Sequence, residues 1–224
     1  MIKIGAITVG QSPRTDLMPD METIFMDSIE VIQMGGLDGL SREEIETMTP
    51  AGPEDHVLVS RLRDGSSVTF GESHVLPRMQ ECIYKLEEQG VSLILFLCTG
   101  EFPDDFASKV PLIFPNSILT SVTPAAMPGC RLAVFTPSAD QVEQVTNKWL
   151  RAQAGTVSVI PVSPYDGLEP VLEGAKAVKA DEVDMIVMDC IGYTVEMKEK
   201  IHAMFGKPVV LPRTLVARMI NELV

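Results

Sequence analysis

Leu93-Ile94-Leu95-Phe96-Leu97-Cys98-Thr99-Gly100 and Met185-Ile186-Val187-Met188-Asp189-Cys190-Ile191-Gly192 are the stretches on which the fold turns. Each is a short apolar run that closes on cysteine, one residue, then glycine. Runs this short, bounded by turn residues, read as strands buried on both faces. Each is followed by a proline-led apolar stretch, from Pro111 in one case and Pro208 in the other. Separately, Ile4-Gly5-Ala6-Ile7-Thr8-Val9 parallels Leu132-Ala133-Val134-Phe135-Thr136-Pro137. The chain therefore reads as an internal duplication: an α/β protein of two pseudo-symmetric, parallel-sheet, Rossmann-like lobes with an inter-lobe cleft. Residues 1–117, completed by 213–224, form the first lobe in this reading, and residues 118–212 the second.

Working outward, short apolar runs alternate with helical patterns, as parallel sheets require. Residues 2–9 and 30–34 read as the first two strands. Ser41-Arg42-Glu43-Glu44 is a capping box opening a short helix. Residues 56–62 and 67–70 form a hairpin about Asp64-Gly65. Residues 74–90 carry apolar positions at helical spacing and stop at Gly90. The second half predicts a strand at 131–136, a helix from Ser138 to about 153, and a strand at 157–162. A helix over about 168–181 and a strand at 184–189 follow. The chain then closes with a helix from 194 to 205, a strand at 208–212 and a helix over 214–224.

Composition narrows the function. The chain has 224 residues, of which 46% are hydrophobic and 22% charged. It is long enough to bury roughly 70% of its unfolded surface. A formal net charge of −13 repels nucleic-acid backbones and anionic lipid surfaces, so neither partner is expected. No apolar run approaches the ~18 residues of a membrane span. The opening residues lack the apolar core and cleavage site of a signal peptide, so a cytoplasmic protein is expected. Four cysteines with no paired spacing read as free thiols. The three histidines show no ligand spacing, and no metal or organic cofactor is expected.

Cys98 and Cys190 sit where open α/β sheets bind ligands, beyond the carboxyl ends of strands. Exposed backbone amides there favour a thiolate, and turn or helix N-termini are expected beside both. The strand-end amides of Thr99-Gly100 and Ile191-Gly192, with glycine allowing close approach, make a cradle for a carboxylate. Two thiols facing one carbon can invert it: one removes the α-proton and the other returns a proton to the opposite side. Amides aimed at the carboxylate would stabilise the carbanion. The competing reading is that a strand-end cysteine is a small core residue. Cys82, inside a helical pattern, and Cys130, beside Pro128-Gly129, read as structural.

Further candidates surround these. Arg14 follows the first strand and could grip a carboxylate bidentately, or pair with Asp16 or Asp20 at the surface. Ser12 could donate to a ligand or cap a helix holding Pro13 in its first turn. Thr136 occupies the matching place in the second half. Tyr193 could close over a ligand, or pack. Asp189 leaves its strand on the face opposite Cys190 and is expected to hold a loop or helix end. Gly35-Gly36-Leu37-Asp38-Gly39 lacks the spacing of a dinucleotide loop. No lysine falls at a strand end, which argues against Schiff-base chemistry.

The paired strand-end cysteines, with their Pro111 and Pro208 strands and closing helix, resemble the aspartate/glutamate racemase superfamily. More closely, Thr8-Val9-Gly10-Gln11-Ser12-Pro13-Arg14, Gly36-Leu37-Asp38-Gly39-Leu40-Ser41, Met188-Asp189-Cys190-Ile191-Gly192-Tyr193 and the Ala217-Arg218 tail resemble the AroM family over nearly the whole chain. The resemblance implies a racemase-like fold. It departs from the superfamily at Thr99, where Asn usually follows the first cysteine, and at the first strand's end, which offers Gln11, Ser12 and Arg14 in place of an acid. The expectation is a cofactor-independent racemase or isomerase of a small carboxylate or related carbon acid. Cys98 and Cys190 would be its acid and base, with Ser12, Arg14, Thr99, Gly100, Thr136, Ile191, Gly192 and Tyr193 around the substrate. The alternatives are a single-cysteine decarboxylase or cis–trans isomerase, and a non-catalytic small-molecule-binding or regulatory protein. The expected partner is a small carboxylate-bearing anion, and a homo-oligomer is left open.

Overall fold

The structure is a computed structural model that describes residues 1–103 and 105–224. The chain divides into two compact units, Met1–Pro115 with Met219–Val224, and Asn116–Arg218. The first contains β1 (Ile2–Thr8), α1 (Met18–Glu22), β2 (Ile29–Gly35), α2 (Arg42–Glu46), β3 (Val57–Arg61), β4 (Ser67–Gly71), α3 (Leu76–Glu88), β5 (Ile94–Phe96) and β6 (Leu112–Ile113). Then come α4 (Pro115–Ala126), β7 (Arg131–Thr136), α5 (Val142–Arg151), β8 (Thr156–Pro161), α6 (Leu168–Ala175), β9 (Met185–Met188), α7 (Val195–Phe205), β10 (Val209–Val210) and α8 (Pro212–Leu223).

Both main sheets are parallel. The first runs β2-β1-β5-β6, and the second, read in the corresponding sense, β8-β7-β9-β10. The duplication extends to register. Gly5 lies opposite Ile94 and Ile94 opposite Leu112; the matching residues Ala133, Ile186 and Val209 pair the same way. Even the flanking bonds repeat. Leu97 N–H donates to the Ile7 carbonyl at 2.7 Å, and Asp189 N–H to the Phe135 carbonyl at 2.8 Å. Cys98 and Cys190 therefore leave equivalent strands at equivalent positions.

Alternation distributes each strand between two cores. In the second unit Ala133, Phe135, Ile186, Met188 and Cys190 pack with α6 and α7 residues such as Val171 and Ile201. Leu132, Val134, Met185 and Val187 face Leu119 of α4 and Trp149 of α5. In the first, Ile7, Val9, Ile94 and Phe96 pack against α3 and the β3–β4 hairpin, and Cys98 adjoins this core. The hairpin and the Ser41–Glu44 capping box form as the sequence predicts. Gly90, at φ +74°, follows α3 in the left-handed conformation that favours glycine.

One helix lies outside the sequence reading, and one expectation needs correction. Residues 115–126 form a helix that propensity conceals, since Ser, Thr, Val and the internal Pro124 are weak helix formers; burial of Leu119 holds it. The helix expected over 168–181 ends at Ala175, and Ala180–Glu182 form a separate 3-10 turn. No helix among the described residues is long and apolar enough to cross a membrane.

Candidate active site

The two cysteines share one local device. Gly100 N–H points at Cys98 Sγ at 3.3 Å, and Gly192 N–H at Cys190 Sγ at 3.4 Å. In each, the turn after the strand folds the second amide back onto sulfur, the orientation that favours thiolate over thiol. Glycine is needed most at 192: a Cβ there would lie 2.9 Å from the Tyr165 ring. At Gly100 it would meet Leu58 at 3.2 Å. Cys98 is half-buried and Cys190 buried. All four cysteines are free thiols, and burial pushes those of Cys82 and Cys130 upward, consistent with inert core residues.

Cys190 has neighbours that spacing alone does not reveal. The Tyr165 hydroxyl lies 3.9 Å from its sulfur. Arg213, only 1% exposed, donates from Nε to the Ile191 carbonyl at 3.0 Å and from Nη2 to the Gly192 carbonyl at 2.8 Å. With the Ile191 carbonyl held by a buried guanidinium, the Gly192 N–H of the same peptide is turned the other way, toward sulfur, while Tyr193 N–H donates to the Cys190 carbonyl at 3.4 Å. Behind the strand, Asp189 accepts from Trp149 Nε1 at 2.7 Å and pairs with Lys148 Nζ at 2.6 Å. Asp189 thus anchors α5 from the face opposite Cys190, as its strand position predicts. Lys148 sits on the Val145–Trp149 stripe of α5, a buried cation on an apolar helix face. That placement was the available signal.

Tyr193 is not exposed. It packs edge-on to Phe135 with centroids 6.3 Å apart, and its hydroxyl donates to the Val162 carbonyl at 2.5 Å. Burial, reinforced by Cys190 and Asp189, pushes its phenol well above the usual tyrosine value, so it stays neutral. Ile191 is buried, and Thr136 donates from Oγ1 to Gln141 at 3.1 Å.

In the first unit the loop after β1 is knitted to the loop after β2. Asp38 accepts from Ser12 N–H at 2.8 Å, from Ser12 Oγ at 2.6 Å and from Gly35 N–H at 2.8 Å. Ser12 therefore caps no helix; the first one starts at Met18, with Leu17 at its N-cap. Arg14 is buried, not at the surface. Asp16 holds it bidentately, Nε to Oδ1 and Nη2 to Oδ2 each at 2.8 Å, while Nη1 donates to Thr8 Oγ1 at 3.1 Å. Its charge is met within the protein. Thr99, beside Cys98, is buried. His56, leading into β3, pairs with Glu72 at 3.5 Å and feels the charge of Glu101, the residue after Gly100. Among the described residues, no group of three His, Cys, Asp or Glu side chains is placed to hold a metal ion.

A family model described as AroM protein matches residues 4–224. Comparison with curated protein sequences finds no match. Among solved structures the chain is similar to an allantoin racemase from Klebsiella pneumoniae, with TM-score 0.65 and 16% identity, covering 100% of this chain and 87% of that one. It is also similar to an aspartate racemase from Picrophilus torridus, at 0.64 and 15%, covering 100% and 94%. The maleate isomerase from Pseudomonas putida S16 gives 0.63 and 16%, covering 99% and 92%. Similarity this distant in sequence establishes the fold: a racemase-like α/β architecture.

Proposed function

The chain belongs to the AroM family, and on that footing we propose that it is a cofactor-independent racemase or isomerase of a small carboxylate or related carbon acid, with Cys98 and Cys190 as acid and base. One observation carries this reading: at matched positions of two strands in matched register, a glycine amide two residues on donates to the cysteine sulfur. A core cysteine needs no such donor, and its occurrence twice points to thiolate chemistry. The similar solved structures include two racemases and an isomerase, which agrees with this reaction class.

In the proposed reaction one thiolate takes the α-proton and the other thiol delivers a proton to the opposite side. The carbanion needs donors aimed at its carboxylate, and we assign these to the strand-end amides around Thr99-Gly100 and Ile191-Gly192. Arg14 and Ser12, held by Asp16 and Asp38, position the first loop. Thr136 and buried Tyr193 support the second loop. In a chain of net charge −13, the anion is drawn by local dipoles against the overall field.

The test is incubation with amino acids, hydantoins and malonates in D₂O, following α-proton exchange and optical rotation. Exchange or inversion that falls by about 10³ or more in both Cys98→Ser and Cys190→Ser supports the pair of bases. Inversion that persists in Cys98→Ser leaves a single-cysteine enzyme. Absence of turnover across the panel with ligand-induced thermal stabilisation would favour the binding-protein reading.

A further inference from the structure

The Ala217-Arg218 tail plays no part in the cysteine chemistry, yet it borders a separate cavity wholly within the second unit. This cavity, of about 200 Å³, lies among α4, α7, β10 and α8. Its apolar wall is built from Val122, Met185, Val209, Leu211 and Leu215. Two cations, Lys198 of α7 and Arg218 of α8, border it, and none of its lining residues is acidic.

We propose that this cavity binds a small amphipathic anion: a carboxylate carrying a short apolar chain or a single ring. The apolar wall calls for an apolar body, and the volume limits it to roughly seven water-sized groups. The charge follows from the rim. Neither Lys198 nor Arg218 is ion-paired with a carboxylate among the described residues. Arg218 instead donates from Nη1 to the Thr214 carbonyl at 3.1 Å, which fixes it along its own helix. Burial and the neighbouring Arg218 both push the Lys198 amine below its usual value, with Glu199 opposing. Two like charges at a half-buried rim repel, and a bound anion would relieve them.

A second, independent feature points the same way. Thr123 of α4 lines the cavity, is only 1% exposed, and its hydroxyl has no hydrogen-bond partner. A buried hydroxyl without a partner is costly, and such groups are rare in finished structures. A ligand oxygen is the partner this site can accept. Thr214, the other hydroxyl at the wall, is already committed to the Leu211 carbonyl at 3.2 Å.

The experiment is isothermal titration of the whole protein with hexanoate and benzoate, and with hexanamide and benzamide as uncharged counterparts. The acids should bind saturably and the amides at least about tenfold more weakly, the worth of one charge-assisted hydrogen bond. A folded Lys198→Met/Arg218→Gln double variant should lose acid binding. Thr123→Val should melt no lower than wild type, since it removes an unpartnered hydroxyl, and should bind the acids several-fold more weakly. No saturable acid binding, equal binding of acid and amide, or unchanged acid affinity in the double variant would each overturn the proposal. So would binding that survives in the double variant but vanishes in Cys98→Ser/Cys190→Ser, because the acid would then occupy the cysteine site.

Discussion

Cys190 is buried, with the Tyr165 hydroxyl beside its sulfur and Arg213 on its loop, whereas Cys98 is half-buried. The difference begins one residue earlier, where Leu97 in the first unit is matched by Asp189 in the second. A carboxylate there has to be compensated, and Lys148 and Trp149 do so from α5. The pair is buried on both sides, so removing one partner leaves an uncompensated charge. Lys148→Met should destabilise the protein by about 3–5 kcal/mol, measured by urea unfolding. A loss below about 1 kcal/mol would mean that Asp189 is neutralised some other way. The two matched strand-end thiols were legible in the sequence because their spelling repeats. Tyr165 and Arg213 were not, because each reaches the Cys190 loop from an element remote in sequence. Nothing in its neighbours along the chain marks such a residue. Of the two readings open for Tyr193, the structure shows packing: it adjoins the Cys190 loop, and its ring turns inward to Phe135.

The strands were read from their apolar runs nearly to their ends, since a parallel strand buried on both faces must be almost continuously apolar. Helices with clear caps were equally legible, as at Ser41, Thr194 and Gly90. Helix α4 escaped because tertiary burial, not local preference, holds it. The β3–β4 hairpin was anticipated, but not its use. Its His56 pairs with Glu72 and feels the charge of Glu101, just after the Cys98 loop. Glu72, and more distantly Glu101, raise the His56 pKa above its ordinary 6.5. The raised value fixes the sign: the pair stabilises fully below 6.5 and is lost as pH rises through the raised value. Because His56 is partly exposed, the effect should be no more than about 1 kcal/mol. Melting curves across this range should fall with rising pH in wild type and lose that component in His56→Gln. An identical pH dependence in the variant would remove the pair from the account.

Over the whole chain, the duplication is the feature most fully legible in advance and the one on which the proposed function rests. It repeats in strand order, in residue register and in the amide-to-sulfur bond after each central strand. What the duplication could not supply is the difference between the halves: a partly open thiol in one, and in the other a buried thiol beside a phenol. Two unlike thiols suit a reaction in which one takes a proton and the other gives one. The most direct test follows deuterium. A single enantiomer of a turned-over carbon acid is supplied in D₂O and sampled early, and both enantiomers are examined by NMR at the α-position. With Cys98 and Cys190 acting as separate bases, deuterium should appear in the inverted product and remain nearly absent from recovered starting material. Equal early labelling of both enantiomers would show that one base serves both directions, and would contradict the account.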